Sequence, residues 1–72
     1  MSNKLRAEAA LVALRAFNNH MPNGEDDEVV GDLLCNLMHL LDDPDLGFSH
    51  LSFSQEIEKA YRYHEEDDDD ED

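Results

Sequence analysis

Acidic side chains are the residues of this chain whose type and spacing could do chemistry. On a helix turning about 100° per residue, Glu25, Glu28, Asp32 and Asp43 fall within about 60° of arc, interrupted by Asn36 and His39. Charges would then recur every one or two turns of about 5.4 Å, near the roughly 7 Å between successive phosphates on one nucleic-acid strand. A plain amphipathic helix also needs a polar face, and Glu25 to Glu28 at a helix start is favoured by the backbone dipole. That explanation does not extend to Asp42, Asp43 and Asp45, which crowd the end where a lysine or arginine would be stabilising. The expected partner-binding set is therefore Glu25, Asp26, Asp27, Glu28, Asp32, Asp42, Asp43 and Asp45.

A second acidic feature closes the sequence. Glu65, Glu66, Asp67, Asp68, Asp69, Asp70, Glu71 and Asp72 form an unbroken run. Such a run has no geometry to specify one partner, so its expected role is auxiliary, raising encounter rates by long-range attraction. The full chain carries 19 acids against 5 bases, a formal net charge of −14. This charge opposes nucleic acid and anionic membranes and favours basic protein surfaces. Lys4, Arg6, Arg15, Lys59 and Arg62 are too few to make a nucleic-acid-binding patch.

Other chemistries find no constellation. Cys35 and His39 stand i, i+4, but two ligands do not make a zinc site, and His20, His50 and His64 have no spacing that completes one. The stretch Asp43-Pro44-Asp45-Leu46-Gly47 opens like a calcium loop, yet its glycine comes one place early and Ser54 stands where the closing glutamate belongs. No Gly-x-Ser-x-Gly elbow, phosphate loop or HExxH motif is present, and the chain is short for enclosing a substrate. No catalytic residue, metal or cofactor is expected.

The element that must position the acids is Val29 to Asp43. Val29, Val30, Leu33, Leu34, Leu37, Met38, Leu40 and Leu41 occupy one half of a helix circumference, and Asp32, Asn36, His39 and Asp43 the other. This pattern predicts a buried helix, over about 27–42, with one wet face. Pro44 ends it, and Gly31 within it points to close helix packing. A first helix is predicted over 3–19, capped by Ser2, with apolar residues Leu5, Leu11, Val12, Leu14 and Phe17 spread widely enough to need more than one neighbour. Asn18 to Gly24 supply the intervening stop and turn.

After a loop in which Leu46 and Phe48 are expected to tuck inward, Ser52 and Gln55 fit a capping box. They open a third helix over 53–64 with Phe53, Ile57, Ala60, Tyr61 and His64 on one stripe. Residues 65–72 are expected to be disordered, since carboxylates at a helix C-terminus oppose its dipole.

The fold class is thus all-α: a small three-helix bundle in a single domain spanning 1–64, with an acidic tail. At 72 residues such a domain buries only about 60% of the surface its unfolded chain exposes. The single cysteine and the lack of a signal-peptide pattern or a transmembrane-length run suit the cytoplasm.

With its acidic cluster, the segment DLLCNLMHLLDD and the ending Tyr61-Arg62-Tyr63-His64, the chain resembles small helical proteins carried by bacteria, their phages and plasmids. In size and charge it is similar to the acidic DNA-mimic inhibitors of mobile elements, which include anti-CRISPR and anti-restriction proteins. That resemblance implies a non-enzymatic protein whose anionic surface occupies the basic groove of a nuclease or interference complex. It would be a monomer or weak homodimer that binds neither nucleic acid nor membrane. The competing expectation is a small dimeric adaptor or antitoxin-like module that binds through the apolar face of the first helix.

Overall fold

The computed structural model describes residues 2–67. Among them the protein is all-α, with three α-helices and no strand. Helix α1 spans Asn3–His20, α2 spans Val30–Asp42 and α3 spans Phe53–Glu66. Short 3-10 turns at Asp26–Glu28 and Pro44–Leu46 precede and follow α2. Among the described residues, those up to Leu33 form one compact unit and those from Leu34 to Asp67 form another.

In the first unit, Ser2 caps α1 by accepting the Leu5 N–H on its Oγ at 3.1 Å, as expected of an N-cap serine. The helix closes where the Met21 N–H reaches the Phe17 carbonyl at 2.9 Å. Gly24 then adopts φ +150°, outside the ordinary range of L-residues. Val29 is completely buried, while Leu11, Leu14 and Phe17 of α1 are half-buried. Ala7, Ala10, Leu11 and Leu14 share a shallow apolar depression with Val30 and Leu33, so the small residues of α1 lie beside the first turn of α2. Leu5 and Val12 point to solvent, so the wide apolar surface of α1 is covered only on one side.

The central helix departs from expectation in two ways. Its regular part starts at Val30 instead of about 27, because the preceding residues tighten into a 3-10 turn and Val29 takes φ −105°, ψ 6°. Its apolar half is also only partly covered: Val30, Leu34, Leu37 and Met38 keep 39–48% of their surface exposed, while Leu33, Leu40 and Leu41 are half-buried. A helix stripe is buried only by an element laid over it, and a sequence pattern reports the stripe without reporting its cover. Gly31 likewise faces open space, with nothing within 4 Å of where its Cβ would be, so close helix packing is not its reason.

In the second unit, Asp43 and Pro44 start the short turn and Gly47, at φ +91°, ends it. Leu46 and Phe48 are exposed instead of tucked beneath the loop. The Ser52 Oγ accepts the Gln55 N–H at 3.4 Å and opens α3. The helix runs two residues beyond its expected end at His64. Asp67 donates its N–H to the Tyr63 and His64 carbonyls, at 3.0 and 3.2 Å, which satisfies the last turn despite the carboxylates. Of the expected disordered tail, Glu65 and Glu66 are helical and Asp67 is the cap; Asp68 to Asp72 lie outside the described residues.

Candidate functional site

The acids predicted to form one row on one helix are divided among several elements. Of Glu25, Glu28, Asp32 and Asp43, only Asp32 lies in α2. Glu25 is the extended residue ahead of the 3-10 turn, Glu28 is the last residue of that turn, and Asp43 follows α2 as the cap of the next turn. The four acids therefore do not share one regular α-helix. Regular helical periodicity was the premise, and the 3-10 turn and Val29 interrupt it.

In the first unit most of these carboxylates hold local structure. Glu28 accepts the Glu25 N–H on Oε1 at 2.7 Å, reaching back across the turn. Asp26 is held from both sides: Asn18 Nδ2 donates to Oδ1 at 3.1 Å and Arg15 Nε donates to Oδ2 at 3.2 Å. The Asn18 bond first, and the Arg15 bond and charge next, lower the Asp26 pKa below the ordinary aspartate value. The same Asn18 amide also donates to the Gly24 carbonyl at 3.0 Å, so one side chain joins α1 to Gly24 and to the first residue of the 3-10 turn. Asp32 accepts from Asn23 Nδ2 at 2.6 Å. Asp27 is exposed and takes part in no described bond.

In the second unit, Asp43 accepts the Asp45 N–H on Oδ1 at 2.9 Å. Asp43 thus has a structural reason, as a cap, that its place after a helix C-terminus hides. Asp42 and the Asp45 carboxylate are exposed and take part in no described side-chain bond. Glu65 and Glu66 occupy the last turn of α3. Among the described residues, no three His, Cys, Asp or Glu side chains gather as a metal-ligand set, and Cys35 is an exposed free thiol.

Arg15, Asn18 and Asn23 are the site residues that sequence reasoning missed. In the sequence Asn18 and Asn23 read only as helix-stop and turn residues. Their signal was present in the composition: amide side chains beside an acidic turn are donors in reach of acceptors. Asn18 lies 8 residues from its acceptor in Asp26 and Asn23 lies 9 from Asp32, distances outside any i, i+3 or i, i+4 rule.

Comparison with known proteins returns no match: no family model, no curated protein and no solved structure matches the chain. Among the described residues, no helix is long and apolar enough to cross a membrane.

Proposed function

We propose that the protein is a non-enzymatic, cytoplasmic inhibitor that binds the basic DNA-binding surface of a nuclease or interference complex, in the manner of anti-CRISPR or anti-restriction DNA mimics of phages. The observation that carries this reading is the fixing of acids in a chain of net charge −14. Asp26, Asp32 and Asp43 each accept a bond that holds the carboxylate in place, while Asp27, Asp42 and Asp45 stand exposed beside them. The second oxygens of Asp32 and Asp43 take no described bond, and a carboxylate has room for about four. Carboxylates ordered in advance lose less conformational freedom on meeting a cationic groove than mobile ones do.

The test is target-DNA capture by a phage-defence complex, measured with increasing amounts of the protein. DNA binding should fall as the protein saturates the complex, and Asp27→Lys, Asp42→Lys and Asp45→Lys together should restore it. DNA capture that continues while the protein is demonstrably bound rejects the proposal. A second reading, a small dimeric adaptor or antitoxin-like module, is favoured by the exposure of Leu5 and Val12 on α1, 56% and 70%. Salt separates the two, since a charge-driven complex weakens steeply as ionic strength rises and an apolar one does not.

A further inference from the structure

Helix α3 carries an uncovered apolar stripe with acidic borders. Ile57, Ala60, Tyr61 and His64 line an open depression of about 350 Å³, and Tyr61 is 73% exposed. At about 100° per residue these four occupy a sector of roughly 100° on the helix. Glu58 and Glu65 run along one edge of that sector, and Glu56 and Asp67 along the other. The two bases of the helix are on its far side. Lys59 is bonded to Glu56 at 3.0 Å, and Lys59 and Arg62 lie 6.0 and 5.9 Å from the centre of the Tyr63 ring. The helix therefore offers an apolar centre between two acidic edges, of which Glu58 and Glu65 make one and Glu56, engaged by Lys59, lies on the other.

We infer that this face of α3 is a docking site for a basic amphipathic helix of a partner protein, whose apolar stripe is flanked on both sides by lysine or arginine. Helix-in-groove recognition reads anchors at i, i+3, i+4 and i+7, the spacing of Ile57, Ala60, Tyr61 and His64. The acidic edges select the occupant. A second copy would set carboxylates against carboxylates, whereas a basic helix brings lysine or arginine to both edges while burying Tyr61 and Ile57. The site is distinct from the acids at 25–45 and does not rest on the DNA-mimic reading.

The probe is a synthetic helical peptide with leucine at i, i+4, i+7 and i+11 and lysines on both sides, with a twin in which glutamate replaces each lysine. Both are titrated into the full chain and followed by NMR. The basic peptide should bind saturably and move the signals of Ile57, Ala60, Tyr61 and His64, and the acidic twin should not bind. Tyr61→Ser should weaken binding about tenfold, as loss of an aromatic anchor does. The pair Glu58→Lys and Glu65→Lys should weaken it to a similar extent, and Arg62→Ser on the far side should leave it unchanged. Circular dichroism of each variant checks that helix content is kept. The proposal is overturned if the basic peptide fails to saturate, or if it binds Tyr61→Ser as tightly as wild type, which would assign the attraction to charge alone. Self-association in sedimentation that Tyr61→Ser abolishes also overturns it, since a second copy would then be the occupant.

Discussion

Arg15 Nε meets Asp26 Oδ2 at 3.2 Å across 11 residues of sequence, joining the last third of α1 to the 3-10 turn that leads into α2. Both side chains are substantially exposed, so the ion pair itself adds little stability in water. Its importance is geometric, because Asn18 takes the other oxygen of the same carboxylate and fixes the turn against the helix.

A pH dependence follows from that arrangement. The Asp26 pKa is lowered by Asn18 and then by Arg15, so the folded state binds a proton there less readily than the unfolded chain. Its contribution is full above the ordinary aspartate value and is lost as pH falls through the lowered native value. In thermal melts followed by circular dichroism, Asp26→Asn should lie below wild type near neutral pH, and the gap should close in acid. A constant gap across that range would show that the charge of Asp26 is not what holds the turn.

The two central glycines should respond to alanine in opposite directions. A Cβ on Gly24 would stand 2.6 Å from Glu28 Oε1, and φ +150° is strained for any L-residue. Gly24→Ala is therefore expected to displace Glu28 from the Glu25 N–H and destabilise the protein by about 1 kcal/mol or more. Gly31 lies inside α2 with open space around it, so Gly31→Ala should stabilise by up to about 1 kcal/mol through helix propensity. For a domain of this size such changes correspond to melting shifts of about 4–8 °C per kcal/mol.

Asp42 and Asp43 are adjacent but are expected to differ. Asp42 ends α2 exposed, and Asp42→Lys should be neutral or stabilising by about 0.3–1 kcal/mol at the helix C-terminus. Asp43 accepts the Asp45 N–H, and Asp43→Lys removes a cap whose loss typically costs about 0.5–2 kcal/mol. Denaturant melts of the two single variants measure this directly. Equal behaviour would mean that the Asp43 bond contributes nothing.

The difference between these neighbours marks how much could be read from residue order. Helix positions were legible because Ser2 and Ser52 act through bonds to residues three places away and Pro44 restricts the backbone of the residue before it. All three α-helices accordingly appear near their expected bounds. The acid row was not legible, since it depended on Glu25 to Asp43 sharing one uninterrupted helix, and Val29 breaks that helix with a conformation its residue type does not announce. The apolar residues of α2 were recognised as a stripe, but burial depends on non-local cover, which periodicity does not encode. The acidic edges of α3 were present in the spacing of Glu56, Glu58 and Glu65.

Val29 and Val30 provide the sharpest test of where the core lies. Val29 has no exposed surface, and it is the one hydrophobic residue among those described that is fully buried. Truncation to alanine removes two buried methyl groups and leaves a cavity, so Val29→Ala should destabilise by about 2 kcal/mol. Val30, the next residue, keeps 48% of its surface, and Val30→Ala should cost less than about 1 kcal/mol, offset in part by the better helix propensity of alanine. Urea unfolding of both variants at several protein concentrations gives the comparison. A Val30→Ala loss as large as that of Val29→Ala, and shrinking as the protein is diluted, would show that Val30 is buried by another molecule in solution, and the exposed half of α2 would then be an interface.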